Sequence, residues 1–154
     1  MGLIGYGVWA CLRPDPAPPA IDTHSLKLHF PRQAENPGMD FDSIRIPGKL
    51  ILDDAGCFRL DQSDSREHAV IWPHSRLDPD IVDDQPAIVD SETGKLVARP
   101  GDEVVFRTGN ILEERHLSGL FSSVNLDQPL PDACSGAEGY IVSPDMSRAE
   151  DVDE

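Results

Sequence analysis

Residues 44–61 read IRIPGKLILDDAGCFRLD, and this stretch decides the fold class that the sequence predicts. Its first nine residues are typical of a β-strand, bent or broken near Pro47-Gly48 because proline cannot donate to a strand ladder. The turn Asp53-Asp54-Ala55-Gly56 follows, and its glycine can adopt a positive φ angle without steric strain. Residues 57–61 return as the partner strand, so a β-hairpin is predicted here.

Similar apolar runs, separated by turn residues, occur on both sides of this hairpin. Further strands are predicted at residues 68–72, 103–107 and 139–143, in a second hairpin around residues 91–94, and as an edge strand at residues 26–30. Residues 73–85 are predicted to be irregular, and residues 110–133 are poorly patterned and could hold one short helix. From these segments we expect an all-β domain of six or seven short strands. A small closed, OB-like β-barrel is the first expectation, and a β-sandwich is the alternative.

The chain of 154 residues has room for one domain, and its ends differ from its middle. Residues 1–11 are predicted to be a signal-like or lipobox-like segment, and residues 12–21 a proline-rich linker that favours extended conformations. The β-barrel domain is predicted to span residues 22–144. Residues 145–154 are rich in acids and contain no aromatic residue, which predicts an acidic disordered tail.

The chain carries 28 acidic and 13 basic residues, which give a formal net charge of −15 at pH 7. Nucleic-acid binding relies on basic groups that displace phosphate counterions, so this composition disfavours that class of function. An anionic membrane surface would also repel the domain. Solubility is the plain explanation of the charge, and an acidic docking surface for a basic partner is the alternative.

Residues 2–10 contain no charged side chain and lead into Cys11. The run is too short for a transmembrane helix, which needs about 20 apolar residues, and it suits the apolar part of a signal peptide. Val8-Trp9-Ala10-Cys11 resembles a bacterial lipobox. It predicts lipidation of Cys11 and a lipid-anchored domain in the bacterial cell envelope, facing the periplasm or the exterior. A plain signal segment and a cytosolic chain remain open, because no basic residue precedes the run and Trp9 is bulky.

The roles predicted for the three cysteines depend on whether Cys11 is lipidated. If Cys11 carries a lipid, Cys57 and Cys134 remain as a pair, and in an exported protein such a pair usually forms a disulfide. In the cytosol the same two residues would be ordinary buried thiols. Neither lies in a Cys-x-x-Cys arrangement typical of redox or zinc sites.

Short motifs follow one another in a defined order between residues 44 and 143. They are Gly56-Cys57-Phe58-Arg59-Leu60, Trp72-Pro73, Gly101-Asp102-Glu103-Val104, Cys134-Ser135-Gly136 and Tyr140-Ile141-Val142. In this order the chain resembles a family of small, uncharacterised bacterial envelope domains, often lipoproteins. The resemblance implies a β-barrel with the two cysteines bridged, and it implies no activity. Thr108-Gly109-Asn110 departs from the glycine pair expected after the Gly-Asp strand.

Candidate functional residues are few. Trp72 and His74, at a predicted strand end, are candidate contacts for a partner protein, with a core position for Trp72 as the favoured alternative. The acidic residues 78–84 offer oxygen ligands for calcium, but the glycine and distal glutamate of a calcium loop are absent, which favours a solvated acidic loop. Zinc-ligand spacing is absent from the five histidines, and we predict neither a metal nor a cofactor. The histidines are His24, His29, His68, His74 and His116.

The motifs of common nucleophilic and phosphate-binding enzymes are missing from the sequence. Cys57 with His68 or His116 as its base is the one nucleophile that could be assembled, and a bridged or buried cysteine is favoured over it. We therefore expect a non-enzymatic, envelope-tethered module that binds a partner protein or supports an assembly. The alternative is a small hydrolase built from scattered Asp and His residues. A deep pocket that joins histidines and carboxylates would favour the hydrolase.

Overall fold

The computed structural model describes residues 27–35, 44–64, 66–108, 111–117, 124–142 and 145–152. These residues form ten β-strands and three short 3₁₀ turns. The strands are β1 (Ile44–Leu52), β2 (Phe58–Asp61), β3 (Glu67–Ile71), β4 (Leu77–Val82), β5 (Gln85–Asp90), β6 (Leu96–Ala98), β7 (Glu103–Thr108), β8 (Ile111–Leu112), β9 (Gly139–Val142) and β10 (Asp145–Arg148). The all-β prediction is confirmed, with more strands than the six or seven expected.

Seven strands form one sheet in the order β10-β7-β1-β2-β3-β9-β8, and β4-β5-β6 form a second sheet. The pair β3–β9 is parallel, and the other pairs are antiparallel. Within the described ranges the edge strands β8 and β10 do not pair, and β8 has only two residues to offer. The closed barrel is therefore not found there. Side chains of both sheets share one core, which supports the sandwich alternative.

β1 runs without interruption through Pro47-Gly48, where a break was predicted. Leu50 donates its N–H to the Asp102 carbonyl at 2.9 Å, on the β7 side, and by alternation Pro47 directs its nitrogen to the opposite side. β2 begins to pair with β1 only at Lys49, so the missing N–H of Pro47 costs no ladder hydrogen bond.

The core between the two sheets is centred on Trp72, whose side chain is fully buried. Phe30 stacks on the indole with 4.4 Å between ring centres, and Phe58 and Phe106 pack edge-on at 5.8 Å. Aromatic pairs in such geometries contribute about 0.5–1.5 kcal/mol beyond the burial of their area. The core also takes in Leu77, Ile88 and Ala98 from the second sheet.

A second, smaller core lies on the opposite face of β3 and β9. Because successive side chains of a strand point to opposite faces, these two strands are buried on both faces, as parallel strands usually are. The buried members of this core are Ala69, Ile71, Leu112, Leu117, Val124, Tyr140 and Val142.

Residues 28–34, which we call the strap, form an extended segment rather than the predicted edge strand of residues 26–30. Isolated bridges join His29 to Cys57 and Arg32 to Trp72, so the strap passes from one neighbour to the next instead of pairing along one strand. The guanidinium of Arg32 lies 4.7 Å from the ring centre of Phe30 and donates to the Leu77 carbonyl at 2.8 Å. The strap thus closes one side of the core.

The segment expected to be irregular, residues 73–85, contains β4 and the turn that joins it to β5. Asp83 and Asp84 occupy this turn with φ angles of 53° and 60°. These left-handed values suit a two-residue hairpin turn, and aspartate adopts them more readily than most residues do. The prediction of an irregular segment is wrong, because these two aspartates form the turn of a hairpin and not an acidic loop.

The predicted acidic tail of residues 145–154 begins with a strand. β10 pairs with β7 from Asp145 to Arg148, and Met146 is buried in the main core. Arg148 also donates from Nε to the Val97 carbonyl of β6 at 2.8 Å, which joins the two sheets. The tail prediction is therefore wrong for these residues, because one apolar side chain within the acidic run anchors them.

Candidate functional site

A groove of about 580 Å³ lies beside the second core and has two walls. Residues 124–130 form the first wall, and Glu114, Asp132 and Ser135 form the second. Leu117 also lines the groove and belongs, with Val124 of the first wall, to the second core, so the floor is apolar. We call this surface the groove.

The first wall is held by the strap. Ala34 donates its N–H to the Asn125 carbonyl at 2.9 Å, and Asp127 donates its N–H to the Arg32 carbonyl at 2.9 Å. A bridge between Gln33 and Leu126 lies between these two hydrogen bonds. The main chain of the strap therefore sets the position of residues 125–127.

The second wall is held by the disulfide between Cys57 and Cys134, whose Cα atoms are 5.5 Å apart. Both cysteines are fully buried. Cys134 ends the 3₁₀ turn Asp132–Cys134 and precedes Ser135, so the bridge fixes two lining residues relative to the start of β2. The structure thus forms the bridge that was predicted for an exported chain.

Glu114 of the second wall is oriented by two hydrogen bonds to one of its oxygens. The N–H of Gly136 donates to Oε2 at 2.8 Å, and the hydroxyl of Tyr140 donates to the same atom at 2.9 Å. The Tyr140 oxygen also lies 3.1 Å from the Cys134 carbonyl. Burial, together with the hydrogen bond to Glu114, raises the pKa of Tyr140 to about 12. Tyr140 therefore keeps its proton and remains a donor at neutral pH.

Acidic side chains surround this apolar floor. Glu114, Asp127 and Asp132 line the groove, and no Lys, Arg or His of the described residues does so. The nearby Arg115 is paired with Glu113 through Nε and Oε2 at 2.7 Å, outside the lining. The groove can therefore accept a positively charged, partly apolar chain and would repel an acidic one.

Trp72 and His74, the two candidate partner contacts, have different surroundings. Trp72 is fully buried in the aromatic core, so it cannot contact a partner, and the core alternative is correct for it. A tryptophan beside a proline at a strand end fits a core position and a partner contact equally well, so the sequence alone does not distinguish the two. His74 is exposed and lies outside the groove.

Cys57 and His68, the nucleophile and base considered for a hydrolase, are both engaged in other contacts. His68 is buried and its Nε2 lies 3.1 Å from Gln62 Oε1, an amide rather than a carboxylate. Cys57 is in the disulfide and is not a free nucleophile. Many carboxylates are paired with arginines instead, as Asp53 is with Arg59 at 2.6 Å. His24 lies outside the described residues.

The acidic residues 78–84 lie along β4 and its turn, not in a loop. Asp78 pairs with Arg32, and Asp83 pairs with Arg99 at 2.9 Å. The part of the chain that the structure describes contains no group of three His, Cys, Asp or Glu side chains placed to hold a metal ion.

The candidate lipidation site, Cys11, and the linker of residues 12–21 lie outside the described residues. In the ranges that are described, no helix is both long enough and apolar enough to cross a bilayer. No protein-family model matches the sequence, and no curated protein or solved structure matches it significantly.

The groove residues were missed at the sequence level. Tyr140 stood in a recognised strand, but its partner Glu114 is 26 residues away in a segment without a clear pattern. The only signal available was the Glu-Glu-Arg-His run of residues 113–116 next to apolar residues, which predicts a short turn but no partner.

Proposed function

We propose that this chain is a non-enzymatic β-sandwich module of the bacterial cell envelope, where it binds a segment of a partner protein in the groove. Lipidated Cys11 and the proline-rich linker of residues 12–21 would tether it to the membrane. The proposal places the chain with the small envelope domains that its motif order resembles.

The cysteines support an exported location. A disulfide between fully buried cysteines persists in oxidising compartments and is rare in the reducing cytosol. With Cys57 and Cys134 paired, Cys11 is the remaining cysteine of the chain. It stands in the lipobox-like sequence Val8-Trp9-Ala10-Cys11, which gives it a role.

The groove is the observation that carries the binding function. Its two walls are each held by main-chain or covalent links, so a partner would meet a surface that is already ordered. The centre of the main core is filled by Trp72 and its aromatic neighbours, which leaves binding to the surface. An apolar floor with carboxylates at its rim suits a positively charged segment of a protein.

Site-specific photo-crosslinking from native membranes tests this function. A photo-reactive residue replaces Gln128 in the first wall or Ser135 in the second, and exposed Glu92, in the turn after β5, serves as the matched control. We expect the same protein to be captured from both walls and not from position 92, with crosslinks confined to one segment of it. Capture of identical proteins at all three positions would contradict the proposal.

The tether has its own test. In a bacterial host, the wild-type chain should incorporate a fatty-acid analogue and sediment with membranes, and Cys11→Ser should lose both properties. Trp9→Ala, which keeps the cysteine and fits a lipobox better, is the control that should remain labelled. A wild-type protein that is soluble, unlabelled and retains Met1 would contradict the anchor.

A further inference from the structure

We infer that the groove binds its partner through a basic side chain, with a lysine ammonium as the best fit, anchored on Glu114. This inference rests on the proposed function and names the chemistry of the segment that the groove accepts. It is carried by the hydrogen bonding of Glu114, by the charge of the groove and by the apolar side chains beside it.

Glu114 is exposed, and its carboxylate is held through one of its two oxygens. Its Oε2 accepts from the Gly136 N–H and the Tyr140 hydroxyl, at 2.8 and 2.9 Å, and these two bonds fill the lone-pair positions of that oxygen. Its Oε1 accepts no hydrogen bond from the described residues. One free carboxylate oxygen suits a compact ammonium group better than a guanidinium, whose strongest, two-pronged pairing uses both oxygens.

The basic side chains of the described residues near Glu114 already have acidic partners: Arg59, whose charge reaches Tyr140, is paired with Asp53 at 2.6 Å. Asp127 and Asp132 line the same groove, and Arg115 is paired with Glu113. An incoming cation therefore meets three carboxylates and displaces no resident basic side chain. Because the chain has a net charge of −15, the attraction also acts during the approach of a basic partner.

The apolar part of the groove accommodates the rest of such a residue. Leu126 and Leu130 are half-buried lining residues packed against the second core. The methylene stem of a lysine can lie along apolar surface while its ammonium group reaches a carboxylate. Apolar residues on either side of the lysine would cover the remaining exposed surface of the two leucines.

The test is an NMR titration of the 154-residue protein with two capped tripeptides, Leu-Lys-Leu and its analogue with acetylated lysine. We expect the lysine peptide to shift the Gly136 amide and the Leu126 and Leu130 methyl signals. Because Glu114 is exposed, the acetylated peptide should bind about fivefold more weakly. Glu114→Gln keeps an oxygen for Gly136 and Tyr140 but removes the charge, so it should weaken the lysine peptide by a similar factor. Glu92→Gln, which removes an exposed charge outside the groove, is the matched control and should bind as the wild type does.

Three results would overturn the inference: equal binding of the two peptides, equal affinity of the Glu114→Gln and Glu92→Gln proteins, or no shift at the groove signals. Melting temperatures of the two variants verify that each remains folded. The proposed function is judged separately by crosslinking at Gln128 and Ser135. Capture that persists in the Glu114→Gln protein would keep the groove as the binding surface while rejecting the basic anchor.

Discussion

His68 of β3 is buried, with 3% of its surface exposed, and burial favours the neutral imidazole over the charged one. Its Nε2 lies 3.1 Å from Gln62 Oε1, and its Nδ1 is buried with no hydrogen-bond partner among the described residues. Burial lowers the pKa of His68, and the charge of Arg66 lowers it further, while Asp64 and Glu138 act in the opposite direction. Protonation of Nδ1 would bury a donor that has no acceptor.

This arrangement predicts a loss of stability in mild acid. The unfolded chain binds a proton at His68 near the ordinary pKa of about 6.5, whereas the folded chain resists it, so the free energy of unfolding falls as the pH drops below that value. Between pH 7.5 and 5.5, the melting temperature should fall less in His68→Gln than in the wild type. The melting temperature of the exposed His74→Gln control should fall as much as that of the wild type. Equal losses in all three proteins would show that His68 is not the source of the acid sensitivity.

Gly56, between β1 and β2, and Gly94, between β5 and β6, both have positive φ angles, 85° and 68°. They differ in their surroundings, because a Cβ at Gly56 would collide with the Lys27 carbonyl oxygen next to the strap, whereas a Cβ at Gly94 meets nothing within 4 Å. Gly94→Ala should therefore destabilise the protein by about 1 kcal/mol, the backbone cost alone. Gly56→Ala should cost about 3 kcal/mol or more, because the chain around Lys27 must move as well. Equal costs in chemical denaturation would show that the close approach is unimportant.

Among the structural elements, the strap links the main core to the groove. Phe30 stacks on Trp72 on one side, and the main chain of residues 32–34 holds residues 125–127 on the other. Both contacts are made by the seven residues of the strap. Loosening the contact between Phe30 and Trp72 should therefore loosen the first wall of the groove.

Phe30→Ala tests this connection. Removing a half-buried ring should cost about 2 kcal/mol, less than the 3–5 kcal/mol of a fully buried phenylalanine. Hydrogen exchange should accelerate at the Ala34 and Asp127 amides, which bond across the strap, more than at the amides of β5. Ile81→Ala, at an exposed position of β4, is the control and should change neither the stability nor the exchange rates of these two amides. Uniform acceleration throughout the protein would show that the strap is not a separate unit.

For the whole molecule, the disulfide is a long-range covalent constraint, since it joins residues 77 positions apart. Closing a loop of that length stabilises a fold by about 4 kcal/mol in the chain-entropy model. Reduction should therefore lower the melting temperature by roughly 10–15 °C for a domain of this size. The double variant Cys57→Ala, Cys134→Ala should match the reduced protein. Two free thiols at these positions in denatured, unreduced protein from the periplasm would contradict the bridge.

The hairpin of β1 and β2 could be predicted because its information is local. The apolar runs, the turn Asp53-Asp54-Ala55-Gly56 and the positive φ of Gly56 all lie within 18 residues. β3, β7 and β9 were recognised in the same way. β4 and β10 were missed, because acidic composition concealed a turn in one case and a buried Met146 in the other.

By itself, the sequence determined the all-β class, the first hairpin and the pairing of Cys57 with Cys134 in an exported chain. Strand periodicity, turn residues and the number of cysteines can all be taken directly from the sequence. Only the tertiary structure decided that Trp72 is buried, that the strap holds residues 125–127, and that Tyr140 orients Glu114. Each of these contacts joins segments far apart in sequence. No local pattern specifies such partners, since they depend on which faces the two sheets bury together.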